Sequence, residues 1–119
     1  MYFIDEGLKL FNKSDFFAAH DFFEDIWGEA KNEDKLFFQG LVQISVGCYH
    51  LICGNYSGAK SQLRKGEEKL RQYPVAFQKV DVENLLFNVN KVLSALKNQN
   101  GPQEKKISKL LDFQIKFIN

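Results

Sequence analysis

Residues 36–56, LFFQGLVQISVGCYHLICGNY, decide the fold. They read as an apolar helix with one polar stripe: Gln39, Gly40, Gln43, Gly47 and His50. A buried helix seldom carries amides and an imidazole unless a neighbouring element satisfies them. The nearest supplier lies just upstream in residues 18–27, AAHDFFEDIW, which bring His20, Glu24 and Trp27. Two glycines on one helix face cost roughly 1 kcal/mol each relative to alanine, so they imply the close approach of another backbone.

Working outward, 3.6-residue periodicity gives six helices and no competing strand pattern. A first helix is expected over residues 2–12, and Ser14 or Asp15 offers an N-cap for a second running to residue 30. KNEDK (31–35) links it to the central helix, 35–53, which ends at the Gly54–Asn55 signal. An amphipathic helix over 56–72 stops before Pro74. Another over 81–98 is broken by NQNGPQ at Gly101–Pro102, and a last helix spans 103–118 with Ile107, Leu110, Leu111, Ile115 and Ile118 on one face. The fold expected is all-α: one compact domain over residues 1–119, built from antiparallel helical hairpins 2–30 and 35–72 plus the two C-terminal helices.

A repeat with an offset of 40 residues supports the hairpins. It aligns Gly7 with Gly47, Phe16 with Tyr56, Ala19 with Ala59 and Phe23 with Leu63. A small residue on each helix with an aromatic beside the turn is also how tetratricopeptide units bring two helices together, so the bundle reads as TPR-like.

Composition narrows the class. With 119 residues, 45% of them hydrophobic and 12 Phe, the chain can fill a single core. No apolar run approaches the roughly 20 residues of a membrane span. MYFIDEGLKLF lacks a basic n-region, so a signal peptide is not indicated and a cytoplasmic protein is expected. Cys48 and Cys53 lie about 140° apart on one helix and read as free thiols. Residues 1–50 hold four Lys/Arg and nine Asp/Glu, a balance of −5, whereas residues 51–119 hold twelve and six, a balance of +6. That asymmetry could orient self-association or a charged partner.

On a wheel at about 100° per residue with Phe16 at zero, Trp27 falls near 20°, His20 near 40° and Glu24 near 80°. His20 and Glu24 also form an i,i+4 pair. Folding the second and third helices into a hairpin puts Glu24 level with residue 41 and His20 with residue 45. A buried network of His20, Glu24 and Gln43 is therefore expected, with Gln39 beside it. His50 lies about 7 Å further along at 1.5 Å per residue, too far to share a first metal shell. No metal set and no cofactor is expected. His20 and Glu24 are the candidate catalytic pair, because a carboxylate tunes an imidazole toward neutral pH. Gln39, Gln43, Trp27 and His50 are the candidate binding residues.

Other signals are weaker. Lys60, Arg64, Lys65, Lys69 and Arg71 make the fourth helix basic, but no aromatics interleave them, which disfavours nucleic acid. Phe113 and Phe117 widen the apolar face of the last helix to roughly 200°, a candidate self-association surface. P-loop, GxGxxG, GxSxG and HExxH motifs are absent.

The tandem of AH-x-x-x-E-x-x-W, QG-x-x-Q and GN-x-x-GA over about residues 3–73 resembles domain-of-unknown-function family 309. The motif positions are His20, Glu24, Trp27, Gln39, Gly40, Gln43, Gly54, Asn55, Gly58 and Ala59. Ser14 and Asp21 stand where the family often has Gly and Glu. The resemblance implies a compact helical bundle with TPR-like hairpins and carries no established activity. Two functions remain: a non-enzymatic interaction or scaffold module that binds a protein partner or itself, or an enzyme or ligand or metal binder using the His20/Glu24/Gln43 cluster. The first predicts a sealed polar network with a groove or apolar patch elsewhere, the second a solvent-reachable pocket touching His20 and Glu24.

Overall fold

A computed structural model describes residues 2–97 and 104–118. It contains six helices: α1 (Asp5–Asn12), α2 (Phe16–Glu29), α3 (Glu33–Ile52), α4 (Tyr56–Leu70), α5 (Val82–Ala95) and α6 (Glu104–Leu110). The expected break at Gly101–Pro102 lies outside the described residues. α3 is the central element, with Phe37, Phe38, Ile44, Cys48 and Leu51 all fully covered. Its one fully buried hydroxyl, on Ser45, donates to the Leu41 carbonyl at 2.9 Å, one turn back. Among the described residues no helix is long and apolar enough to cross a membrane.

The 40-residue offset reappears as repeated local geometry. α1 and α3 end alike: Ser14 N–H bonds Phe11 O at 2.9 Å and Gly54 N–H bonds Leu51 O at 3.1 Å. Asp15 N–H and Asn55 N–H then reach back to Leu10 O and His50 O, both at 2.9 Å. Both turns need a left-handed residue, Gly54 at φ 79° and Ser14 at φ 67°. Asp15 and Asn55 next cap α2 and α4, accepting from Ala18 N–H at 3.3 Å and Gly58 N–H at 3.0 Å. Within each hairpin the aligned pair meets. A Cβ on Gly7 would lie 2.7 Å from Phe23 Cε1, and one on Gly47 2.6 Å from Leu63 Cγ.

That contact corrects the pairing of the glycine stripe. The sequence suggests that Gly40 and Gly47 admit α2; the structure seats α4 there. A Cβ on Gly40 would meet Leu70 at 3.1 Å, and one on Gly66 would meet the Gly40 carbonyl at 3.0 Å. Both neighbours of α3 run antiparallel to it, and the glycines serve the closer one.

The C-terminal part departs further from expectation. Residues 76–81 form a two-stranded hairpin, β1 (Ala76–Phe77) and β2 (Val80–Asp81). Its turn places Gln78 and Lys79 at φ 51° and 63°, a conformation that sequence flags only when Asn or Gly occupies it. The last helix stops at Leu110 instead of running to residue 118. Residues 112–118 are extended instead and pair with the hairpin: Asp81 N–H bonds Lys116 O at 2.8 Å and Ile118 N–H bonds Lys79 O at 2.7 Å. Asn12, at the end of α1, completes this strap. Its side chain accepts from Ile115 N–H at 2.8 Å and donates to Ile115 O at 3.2 Å, imitating a strand partner. Phe113 and Phe117 therefore do not share a helical face.

Candidate functional site

α2 buries Phe16, Ala19 and Phe23 and leaves the adjoining side open. His20 stands at that boundary with its side chain 21% exposed, while Asp21 and Glu24 stand at 63% and 53%. Its Nδ1 lies 2.9 Å from Phe17 O and 3.5 Å from an Asp21 oxygen, and its Nε2 lies 3.4 Å from Glu24 Oε2. The imidazole is thus held by its own helix, one turn back and one turn forward. A short apolar-faced helix that places Phe17, Asp21 and Glu24 beside the buried row builds this without help from α3.

The buried three-residue network is not formed. Glu24 is an exposed carboxylate, and Gln43 Oε1 is buried with no hydrogen-bond partner. The cause is the orientation of α3. Counted at about 100° per residue from Gly40, which faces α4, Gln43, His50 and Gln39 lie about 60°, 80° and 100° to one side. Those three are half-buried, whereas Ile44, Phe37 and Leu41 on the other side are covered. The amides consequently flank the α3–α4 seam on its outer side.

What joins α2 to α3 is aromatic. The Phe17 ring packs edge-on against His20 at 5.2 Å and against Tyr49 at 5.5 Å, and Tyr49 lies 6.2 Å from the His50 ring. Residue 17 is thereby level with residue 49. His50 bonds Asn55, its Nδ1 lying 3.5 Å from the amide nitrogen. The Cys53 sulfur, through a hydrogen bond and its charge, pushes the Tyr49 phenol above its usual range, with burial adding to this. Trp27 is half-buried under Lys35, whose Nζ lies 5.5 Å over the ring and donates to Trp27 O at 3.0 Å. Among the described residues no group of three or more His, Cys, Asp or Glu could hold a metal ion.

Sequence reasoning missed Phe17 and Tyr49. They are 52% and 38% exposed, as is Ile52 at 52%, one turn beyond Tyr49. The signal was present, since Phe17 falls about 100° from Phe16 and outside the apolar face. The clefts lie elsewhere. One, of about 460 Å³, opens between Ser14, Ile52, Cys53, Tyr56 and Leu111. Neither it nor four further clefts of about 350–370 Å³ is lined by His20, Glu24 or Gln43. The site is an open face: two aromatic rings between a pair of imidazoles, edged by carboxylates.

Comparison with known proteins places this face inside a recognised segment. Residues 4–62 match the model of a family described as a domain of unknown function, DUF309. An uncharacterized protein of Aquifex aeolicus (strain VF5) is 23% identical over 103 residues, covering 86% of this chain. The chain spans 31% of that relative's length.

Proposed function

Through residues 4–62 the chain belongs to the DUF309 family, whose function is unknown, and we propose on that premise that it is a non-enzymatic interaction module. Its α2–α3 face takes a basic segment of a protein partner that carries apolar anchors. One observation carries this reading: Phe17, Tyr49 and Ile52 stand exposed together, edged by Asp21 and Glu24. Grouped exposed aromatics with a charged rim are what a partner's anchors and opposite charges fit. The paired hairpins support a TPR-like framework of one domain that presents the face, and a cytoplasmic setting suits its free thiols.

A fluorescein-labelled amphipathic peptide of Lys and Leu, against an acidic counterpart, tests it by anisotropy. Phe17→Ala and Asp21→Lys are each expected to weaken the basic probe about tenfold or more, the effect of losing one buried anchor or reversing one rim charge. Unchanged binding in both variants, or equal binding of the acidic probe, overturns the reading. A second reading, small-ligand chemistry, draws on the solvent-reachable His20–Glu24 pair at 3.4 Å. It would require His20→Gln to abolish a turnover while leaving the peptide bound.

A further inference from the structure

A trough of the opposite character to the acidic face lies in the C-terminal part of the molecule. Two adjoining open clefts of about 350 and 360 Å³ lie between α5, the end of α6 and the C-terminal strap, and share Asn88, Asp112 and Phe113. Three ammonium groups, Lys91, Lys109 and Lys116, line them against one carboxylate, Asp112. Phe87 stands on the rim 62% exposed, with Lys91 Nζ 5.7 Å over its ring. The Asn88 amide is fixed by the Asn84 carbonyl at 3.0 Å and the Asn84 side-chain oxygen at 3.2 Å. The trough therefore has the same ingredients as the α2–α3 face, aromatic rings with a charged edge, but in the other sign.

We infer that a second copy of this chain occupies it: the acidic α2 of one protomer docks head-to-tail against the basic α5 trough of the next. This rests on the α2–α3 face being a docking surface and names its partner. Three features fit together. The charge balance is −5 over residues 1–50 and +6 over residues 51–119. α2 and α5 are both 14 residues, so two rods of about 21 Å can lie along each other. Phe17 and Tyr49 on one side and Phe87 and Phe113 on the other supply apolar contact that charge alone lacks. In that pairing Lys91, Lys109 and Lys116 stand opposite Asp21 and Glu24. The contact is heterologous, so each added copy leaves both kinds of face open at the ends and assembly grows as a ring or a filament.

Two double variants test this by sedimentation velocity, with circular dichroism to check folding: Asp21→Lys with Glu24→Lys, and Lys91→Glu with Lys109→Glu. At low salt the wild-type chain is expected to sediment faster as concentration rises and to revert to monomer as salt screens the charges. Each variant alone is expected to be monomeric. Their equimolar mixture, in which the intact acidic face meets the intact basic trough and the reversed face meets the reversed trough, is expected to associate again. A monomeric wild type, association that survives either variant, or a mixture that stays monomeric overturns the inference. The Lys91→Glu/Lys109→Glu variant keeps its α2–α3 face, so its binding of the Lys/Leu peptide separates the two failures. Peptide binding without self-association sinks only the head-to-tail contact, and loss of both sinks the docking face as well.

Discussion

Gln43 and Ser45 lie two residues apart on α3 and are treated in opposite ways. The Ser45 hydroxyl has its acceptor in the previous turn, whereas Gln43 Oε1 is buried without one. An acceptor taken out of water and given no donor costs roughly 1–3 kcal/mol, and a side chain of similar shape without it does not incur that cost. Gln43→Leu is therefore expected to leave stability unchanged or raise it by about 1 kcal/mol, read from the urea midpoint at constant m. A loss of about 2 kcal/mol or more would mean that Gln43 has a partner within the fold. At this scale the sequence identifies the polar residues correctly and their neighbours poorly. A helical wheel shows that Gln39, Gln43 and His50 share a side with the glycines, but both α2 and α4 flank α3. The contacts of Gly47 with Leu63, Gly40 with Leu70 and Gly66 with the Gly40 carbonyl reveal that α4 owns the seam. His20 and Glu24 were legible as a pair because both partners lie on one helix.

Elements follow the same logic of local against distant causes. α1 to α4 were legible because their signals are internal: apolar spacing, Asp15 and Asn55 as caps, and a left-handed residue after each odd-numbered helix. The strap was not. Ile107, Leu110 and Leu111 begin a helical pattern that Ile115 and Ile118 can continue, yet Phe113, Ile115 and Phe117 equally alternate as a strand. What decides is Asn12, 103 residues upstream, which satisfies both backbone groups of Ile115. Asn12→Ala removes both bonds and leaves a half-covered N–H and C=O unpaired, at a cost of about 1–3 kcal/mol. The loss falls on the strap before it reaches the bundle. Limited proteolysis of the variant is expected to cleave within residues 112–118 much faster than in wild type, with far-ultraviolet dichroism nearly unchanged. Equal cleavage rates would show that the bonds from Lys116 and Ile118 to the hairpin hold the strap without Asn12.

For the molecule as a whole, the placement of α3 between α2 and α4 makes Cys48 a reporter of global opening. The residue has no exposed surface, and burial pushes its thiol far above the ordinary range, while Cys53 at the end of the same helix is exposed. A thiol reagent is expected to modify one cysteine at once and the second only as fast as the fold opens. The protection free energy of Cys48 then equals the unfolding free energy from urea. The same burial fixes the sign of a pH effect. Above about pH 8.5 the unfolded chain releases the Cys48 proton and the folded chain retains it, so the folded state binds more protons and stability falls as pH rises. That contribution is fully present below about pH 8.5 and declines by about 1.4 kcal/mol per unit above it, until the raised folded value is reached. Cys48→Ala lowers stability at every pH by leaving a small cavity, but it removes this slope between about pH 8.5 and 10, before the tyrosines titrate. An unchanged slope in Cys48→Ala would mean that the folded state does not hold the Cys48 proton, and labelling of Cys48 faster than the urea value allows would mean that α3 is reached by a partial opening.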